Sequence, residues 1–547
     1  MYVLEVMKVF SGADNRGKIM RTAAIILAGS VSPHSLEPLG GGESAYSRVL
    51  SFIKQLPGLA GALVLSGGTG LPEGPWPVVS REAWTVKSIL EEAASYVERL
   101  SGPDQDGPVD ALVFAFGDEP FLDPALAGRI LSDYGRYRAD YAFADGYPEG
   151  LAIEVLHPRI LPALIALAGK HAIAPDRGWL FQLIQKDINS FDIETIISPR
   201  DLRELRLDFA CDTRRNSLLC ERLLSAGVTD AESAVRIIPE RLDLLRTLPA
   251  YIQVQVSGGC PQACSLCPWP LVGGDVLSRR DFMPRERFSA LMSAISAFCG
   301  DAVVSLSLWG EPALHPGIEG LIDDVLGHEG LSLIVETSGI GWKRETLARL
   351  AERWPQRLHW VVSLDSPEPE LYARLRGPGF EEARATALSL IQLFPSTAYV
   401  QILRTLDNEE ALEDFWRGWK KVTENVIVQK YSTCAGFLPP RKVTDLSPLV
   451  RRPCWHLKRD LSVLIDGRVP LCRDCVRNEV ILGSLFSGNG GGDTAAADGA
   501  AGACDAASIG SRLAAVWKAG EEYHRLHVAG DYPAPCKACD EYYTYNA

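Results

Sequence analysis

Thirteen cysteines lie unevenly along this chain of 547 residues, and their spacing is the clearest sign of chemistry. Cys260, Cys264 and Cys267 form a CxxxCxxC segment. Three thiolates so close in sequence can hold three irons of a 4Fe–4S cube and leave the fourth iron open to a substrate-like ligand. A structural zinc site prefers four closed ligands, usually as two CxxC pairs, and zinc is the alternative for this segment.

A second group of cysteines follows nearer the C-terminus. Its members are Cys454, Cys472, Cys475, Cys504, Cys536 and Cys539. An odd number of cysteines in clusters favours metal or iron–sulfur ligation in a reducing compartment over paired disulfides. We therefore expect the protein to be cytoplasmic.

The overall composition excludes two classes of partner. The 55 Lys and Arg residues against 69 Asp and Glu residues give a formal net charge of −14. A dedicated duplex-DNA binder carries a basic surface, so we expect no duplex DNA partner. The sequence has no apolar run of about 18 residues, so no membrane-spanning segment is predicted.

Short apolar runs that alternate with helical stretches predict an α/β fold. After an N-terminal extension (1–21), runs such as 23–29 and 61–68 predict a mostly parallel α/β domain over 22–226. Residues 227–249 are typical of a helical connector.

Six further strand-like runs predict a partial (β/α)6 barrel over residues 250–435. These runs are residues 251–258, 302–310, 331–339, 358–366, 397–405 and 425–433. Chemistry gathers at the carboxyl ends of barrel strands, and polar residues end most of these runs. Residues 436–547 predict a small cysteine-rich domain with a flexible Gly-, Ala- and Asp-rich insertion at 487–509.

The CxxxCxxC segment and the motifs after it resemble the radical SAM enzymes, over roughly residues 250–430. The resemblance implies that the three cysteines bind a 4Fe–4S cluster and that S-adenosylmethionine chelates its open iron. An electron from the cluster then splits the sulfonium C–S bond, and the resulting 5′-deoxyadenosyl radical abstracts a hydrogen atom. The resemblance also implies a low-potential electron donor such as flavodoxin or ferredoxin.

Two further motifs match this family residue by residue. Gly310, Glu311 and Pro312 resemble its GEP segment, whose glutamate and backbone receive the cationic methionyl amine. Ser363 and Asp365 match the motif on the fourth strand, whose polar side chains contact the ribose or the methionyl group.

The resemblance extends to weaker positions. Arg374 stands where related enzymes place a carboxylate-binding arginine, a role that suits a guanidinium fork, and a surface arginine is the alternative. Glu336, Thr337 and Ser338 resemble the third-strand segment and are predicted adenosyl contacts. Trp269 lies where an aromatic residue approaches the adenine, or serves as core filler.

The C-terminal cysteines resemble the SPASM-type extension of radical SAM proteins. The resemblance assigns an auxiliary 4Fe–4S cluster to Cys454, Cys472, Cys536 and Cys539, with Cys475 as a fifth thiol. Zinc is the alternative, because four thiolates also satisfy tetrahedral Zn²⁺. An auxiliary cluster carries off an electron after hydrogen abstraction, or ligates substrate if one cysteine dissociates.

The sequence also predicts the local structure around Asp466-Gly467. The apolar run before Asp466-Gly467 and the residues after it predict a small hairpin that presents Cys472 beside Cys454.

Residues 22–226 resemble the sugar-nucleotide and molybdopterin nucleotidyltransferases. In that family cationic residues clamp the triphosphate, yet no Lys or Arg lies between Arg21 and Arg48 in the corresponding loop. Without such clamps the leaving pyrophosphate is poorly stabilised. Asp118 and Glu119 stand where a metal would bind, and we predict a degenerate domain for binding or scaffolding.

The leading hypothesis is a radical SAM oxidoreductase that acts on a peptide, a protein or a nucleotide-linked small molecule. One alternative is an active nucleotidyltransferase with a regulatory cysteine-rich half. The other is a zinc-stabilised binding protein.

Overall fold

The computed structural model describes residues 20–68, 70–444, 447–486 and 505–543. The chain divides between Leu244 and Leu245 into two compact units. Nearly all of the predicted N-terminal extension lies outside the described residues. Residues 487–504 of the predicted flexible insertion, with Cys504, also lie outside them.

The first unit is built on a mixed seven-stranded sheet. Its strands are β1 (Thr22–Ala28), β2 (Leu59–Ser66), β3 (Val78–Ser80), β4 (Ala111–Phe116), β5 (Tyr141–Asp145), β6 (Glu154–Leu156) and β7 (Ile193–Ile197). Their order is β3-β2-β1-β4-β6-β5-β7. Only β6 runs antiparallel to its neighbours, β4 and β5.

The strands β1 and β4 are buried along their whole length, because helices cover both faces of this sheet. Strands buried on both faces are continuous apolar runs rather than alternating ones. The α-helices are Pro33–Leu36, Ala45–Ile53, Val86–Leu100, Pro124–Tyr137, Leu161–Ala168, Trp179–Ile184, Arg214–Ser225 and Ala231–Ile237.

The second unit contains a parallel sheet that curves around the predicted site. Its strands are β8 (Tyr251–Val254), β9 (Ala302–Ser305), β10 (Leu331–Thr337), β11 (Leu358–Ser363), β12 (Ala398–Arg404), β13 (Val426–Lys430) and β14 (Asp460–Val463). Their order is β13-β12-β11-β10-β9-β8-β14. A separate antiparallel pair joins β15 (Arg468–Pro470) and β16 (Ile481–Ser484). The α/β class with parallel sheets is therefore confirmed.

Helices cross over between the parallel strands and continue into the C-terminal region. They are Trp269–Val272, Arg285–Cys299, Ile318–Leu326, Arg344–Arg353, Pro369–Arg376, Phe380–Leu393, Leu412–Lys420, Trp455–Arg459, Ala506–Val528 and Ala534–Lys537. Because βαβ crossovers bring all carboxyl strand ends to one edge, the loops after the strands meet there.

The two faces of this sheet differ in polarity. Along β10, Leu331, Leu333 and Val335 are buried in the apolar core, whereas Ile334 and Glu336 are only half-buried on the other face. Side chains alternate between faces along a strand, so one face packs on the helices. The opposite face is lined by polar groups such as Gln253.

The prediction of a hairpin around Asp466-Gly467 is wrong about which strands pair. The turn exists, since Leu464 N–H donates to Arg468 O at 2.8 Å. However, β14 before the turn pairs in parallel with β8, and β15 after it pairs with β16. An apolar run cannot distinguish a hairpin strand from one that extends a neighbouring sheet by its edge.

The predicted flexible insertion ends earlier than expected. The helix Ala506–Val528 begins inside residues 487–509, with Asp505 as N-cap accepting from the Ser508 amide. A composition rich in Gly and Ala predicts a linker. However, Ala is the best helix former, and Asp505 caps the first turn of the helix.

Every helix in the part of the chain that the structure describes is too short or too polar to cross a lipid bilayer.

The turn between β14 and β15 gives a stability prediction. Gly467 has a φ of +87°, and a Cβ there would lie 2.3 Å from a ring carbon of Phe486. We expect Gly467→Ala to lower the free energy of unfolding by about 1–3 kcal/mol, because both backbone and ring must move. The matched control is Gly510→Ala, which has nothing within 4 Å and lies inside a helix.

The control substitution should raise the free energy of unfolding by about 0.5–1 kcal/mol, the usual gain from replacing a helical glycine. Urea unfolding followed by circular dichroism measures both variants. Equal effects of the two substitutions would contradict the strained turn.

Candidate functional site

The three predicted cysteines lie on one loop after β8, at the carboxyl edge of the sheet. Cys260, Cys264 and Cys267 are each partly exposed. The Cys260 amide donates to Val276 O at 2.8 Å, and the Cys267 amide donates to Cys264 O at 3.2 Å. The loop is therefore held by main-chain contacts, which leave the thiols available as ligands.

A glutamine inside the cysteine motif anchors this loop, and sequence reasoning missed it. Gln262 is only 1% exposed. Its amide nitrogen donates to the Tyr372 hydroxyl at 2.9 Å and to Pro378 O at 3.1 Å, and its oxygen accepts from Arg376 Nε at 3.3 Å. A polar residue between two cysteines gives no sequence signal for such an anchoring role.

The Gly310-Glu311-Pro312 segment lies directly against the cysteine loop. Gly310 has a φ of +85°, and a Cβ there would lie 2.0 Å from Ser257 O. Only glycine permits this approach of two backbones. The Glu311 amide then donates to Gly259 O at 2.8 Å, and Pro312 starts a short 3₁₀ turn behind it.

The Glu311 carboxylate is held by the end of β10. It accepts from the Thr337 hydroxyl at 2.6 Å and from both the amide and the hydroxyl of Ser338, at 2.8 and 2.7 Å. Burial raises the pKa of Glu311, and these hydrogen bonds oppose the rise. The structure thus brings Glu311, Thr337 and Ser338 together. The sequence motifs predict that these residues belong to one site.

The end of β11 adds a second buried carboxylate. Asp365 has a φ of +58°, in the left-handed region, and its Oδ1 accepts from the Leu403 amide at 2.7 Å. Ser363 Oγ accepts from Gln401 Nε2 at 3.3 Å. A non-glycine residue in this conformation is held there by its surroundings, which fixes the Asp365 carboxylate.

The arginine beside these groups is Arg376, whereas the carboxylate-binding role of Arg374 stays a prediction. Arg376 pairs with Asp365 Oδ2 at 2.5 Å, and its side chain is 13% exposed. Arg374 is exposed on the same helix, Pro369–Arg376. Two residues along an α-helix turn a side chain by about 200°, so only one of the two faces Asp365.

Trp269 is buried by ring stacking. It packs on Trp309 with 5.3 Å between centroids and planes 11° apart, and its indole N–H donates to Gly258 O at 3.0 Å. Glu336, the other weak prediction, accepts from the Tyr251 hydroxyl at 3.3 Å.

Burial disfavours the charged thiolate form of the three cysteines. Burial, with Glu311 nearby, raises the pKa of Cys260 to about 12, and burial raises the pKa of Cys267 to about 12. Both are therefore protonated near neutral pH. Binding iron would displace these protons, as metals do when they bind thiols.

The C-terminal cysteines surround a separate cavity. Its lining includes all four predicted ligands together with the fifth thiol, namely Cys454, Cys472, Cys475, Cys536 and Cys539. Burial raises the pKa of Cys454 to about 12 and that of Cys536 to about 11. The structure therefore brings together residues separated by up to 85 positions.

Four of these five thiols form two tight turns. The Cys475 amide donates to Cys472 O, and the Cys539 amide donates to Cys536 O, both at 3.2 Å. Cys475 also donates its thiol to Glu479 Oε2 at 3.2 Å. Paired CxxC turns are typical of both zinc and iron–sulfur ligation.

Buried polar atoms without partners lie around the same cavity. Asp474 Oδ2 and the Nε2 atoms of His456 and His527 have no hydrogen-bond partner among the described residues, and all three residues line the cavity. Buried polar groups are rarely left unpaired, so this donor set fits a bound group. As they stand, no three or more Cys, His, Asp or Glu side chains of residues 20–543, outside the gaps given above, are arranged to hold a metal ion.

In the first unit, Arg177 lies among carboxylates at the end of β4. Its guanidinium pairs with Asp118 at 2.5 Å and Asp212 at 3.3 Å, and lies 3.6 Å from Glu119 and 3.8 Å from Asp208. Although burial opposes the charge, these carboxylates hold the pKa of Arg177 above its usual value. Asp118 and Glu119 therefore share, with Asp208 and Asp212, one arginine that sequence reasoning did not identify.

The buried pair of Asp365 and Arg376 gives a testable difference between two arginines. We expect Arg376→Gln to lower the free energy of unfolding by about 3–5 kcal/mol, because the Asp365 carboxylate stays buried without its cation. The control Arg374→Gln should change the free energy by no more than about 0.5 kcal/mol. Urea unfolding measures both, and a larger effect at Arg374 would contradict the assignment.

The sequence of this chain is similar to those of known proteins. Residues 254–417 match the radical SAM superfamily. An uncharacterized protein of Treponema pallidum (strain Nichols) is 36% identical over 383 residues, which cover 67% of this chain and 98% of the Treponema protein.

Two solved structures are also similar to parts of this chain. BtrN in complex with AdoMet and 2-DOIA is 15% identical with a TM-score of 0.34, over 54% of this chain and 93% of BtrN. A cytidylyltransferase from Leptospira borgpetersenii serovar Hardjo-bovis (strain JB197) is 15% identical with a TM-score of 0.34, over 41% of this chain and 96% of that protein. From the extent of the Treponema match and the family match, this chain belongs to the same family as the Treponema protein, and its residues 254–417 form a radical SAM superfamily domain.

Proposed function

We propose that this protein is a radical SAM oxidoreductase that abstracts hydrogen from a peptide, a protein or a nucleotide-linked substrate. The observation that carries the proposal is the contact of the Gly310-Glu311 backbone with the cysteine loop. It brings the loop that carries the buried carboxylate of Glu311 against the cysteine loop at the carboxyl edge of the sheet, where barrel enzymes carry their chemistry.

Cys260, Cys264 and Cys267 would hold a 4Fe–4S cluster at this edge. When bound, that cluster supplies the electron that splits S-adenosylmethionine into methionine and a 5′-deoxyadenosyl radical. Thr337 and Ser338 hold the Glu311 carboxylate in place, where it would accept from the cationic methionyl amine.

The neighbouring pair of Asp365 and Arg376 supplies a negative and a positive group for binding the zwitterionic methionyl part of S-adenosylmethionine. Asp365 offers an acceptor for amine or ribose hydroxyl groups, and Arg376 offers a donor for the methionyl carboxylate. The substrate would then enter along the polar face of the sheet, which a polar chain segment such as a peptide suits. The electron donor is proposed to be a flavodoxin or ferredoxin.

The C-terminal cysteines would hold an auxiliary 4Fe–4S cluster of the SPASM type. When bound, that cluster would accept one electron after hydrogen abstraction, which makes the net reaction an oxidation. The five thiols around one buried cavity support this assignment. The two CxxC turns, Cys472–Cys475 and Cys536–Cys539, favour zinc as the second candidate for the same cavity.

The first unit is proposed to be a degenerate nucleotidyltransferase-like domain that recognises or delivers the substrate. Mg²⁺ beside Asp118 would have to displace the guanidinium of Arg177, which pairs with Asp118 and Asp212. We derive no step that needs a metal there. The ion pair of Arg177 and Asp118 instead stabilises the loops at the end of β4.

Removal of the first cysteine set tests the proposal directly. We expect the full chain to hold about eight irons after anaerobic reconstitution, from two 4Fe–4S clusters. The variant C260A/C264A/C267A should keep about four irons and form no 5′-deoxyadenosine with dithionite and S-adenosylmethionine. The control C299A removes a buried cysteine of the core and should behave as the unmodified chain.

Iron analysis and chromatography of the nucleoside product measure both properties. Continued 5′-deoxyadenosine formation by the triple variant would refute the site assignment.

Removal of the C-terminal pair separates the two cofactors. We expect C536A/C539A to lose about four of the eight irons and still cleave S-adenosylmethionine, because the first cysteine loop does not include these residues. Net oxidation of any substrate should stop. Zinc in the unmodified chain, with about four irons in total, would show that the second candidate holds for this cavity.

The first unit should lack nucleotidyl transfer. We expect pyrophosphate release from nucleoside triphosphates with Mg²⁺ to stay at background, because neither cationic clamps nor an open carboxylate site is present. A coupled phosphate assay measures the release. Turnover that depends on both the triphosphate and Mg²⁺ would overturn the degenerate assignment.

A further inference from the structure

His527, on the helix Ala506–Val528, lines the cysteine cavity. It is 2% exposed near the end of the helix Ala506–Val528, and its ring packs edge-on against Tyr532 at 4.9 Å. The backbone amide of Cys454 donates to His527 Nδ1 at 3.4 Å. The ring is thus positioned from both sides beside a cysteine of the cavity.

These contacts determine which ring nitrogen carries the hydrogen. Because Nδ1 accepts from the Cys454 amide, the hydrogen of a neutral ring must be on Nε2. His527 therefore presents an Nε2–H donor.

That donor lacks an acceptor within the protein. Its Nε2 atom is buried without a hydrogen-bond partner in the part of the chain that is described, and His527 lines the cavity with the five thiols. The other cavity histidine, His456, differs, since its Nδ1 is 2.5 Å from Asp460 Oδ2. Its ring is therefore oriented by a carboxylate rather than by an amide of the cysteine segment.

We propose that His527 donates its Nε2–H to a sulfur atom of an iron–sulfur cluster in this cavity and thereby sets the reduction potential of that cluster. The inference rests on the proposed function, because it needs a redox-active group held by these cysteines. Hydrogen bonds to sulfur stabilise the more negatively charged, reduced form of a cluster. His527 is thus a positioning and tuning residue rather than a ligand.

A redox titration of the full chain tests this role. The background is C260A/C264A/C267A, so that only the C-terminal cluster contributes to the spectrum. We expect H527F to shift the midpoint potential to a more negative value at unchanged iron content, because the donor is lost. H527Q keeps an N–H donor and should restore most of the shift, and K518A, exposed on the same helix, should leave the potential unchanged.

A second measurement does not depend on the stability of H527F. With ¹⁵N-labelled histidine, the reduced cluster should show a weak ¹⁵N coupling in pulsed electron paramagnetic resonance, and H527Q should abolish it. Iron present with equal potentials in H527F, H527Q and the background, or no coupling lost in H527Q, would overturn the role of His527 alone. Zinc without iron in the cavity would overturn the auxiliary-cluster assignment and this inference together.

Discussion

One contact between two backbones, with no room for a side chain, organises the second unit. At Gly310 a Cβ would lie 2.0 Å from Ser257 O, and the next amide donates to Gly259 O at 2.8 Å. This contact locks the loop after β9 onto the cysteine loop after β8. Because the Glu311 carboxylate also accepts from Thr337 and Ser338, three consecutive strand ends are joined through this one residue.

The two cysteine sites differ in how their thiols are enclosed. Cys260, Cys264 and Cys267 are partly exposed and lie beside carboxylates and Arg376. In the C-terminal cavity, Cys454, Cys475 and Cys536 are 2–8% exposed, Cys472 and Cys539 are partly exposed, and Arg451, Asp474 and two histidines share the lining. An accessible three-thiol loop suits a cluster that must accept an outside ligand, whereas an enclosed five-thiol cavity suits one ligated by protein alone.

Much of this arrangement could be predicted from the sequence, because strands and cysteine spacing are local signals. The predicted starts of the six barrel strands lie within one residue of the observed ones, although the runs continue past the strand ends into the site loops. Contacts between distant segments could not be predicted. Arg376 rather than Arg374 meets Asp365 because of helix phase, β14 joins β8 across about 200 residues, and Arg177 reaches Asp118 from another loop.

The cluster that we propose on the Cys260–Cys267 loop would leave one iron open for S-adenosylmethionine beside Glu311. The most direct measurement is electron–nuclear double resonance on the reduced full chain with S-adenosylmethionine labelled with ¹⁵N and ¹⁷O in its methionyl amine and carboxylate. We expect strong couplings from both labels to a single cluster. Absence of any coupling, in protein with a full complement of iron, would contradict this proposal.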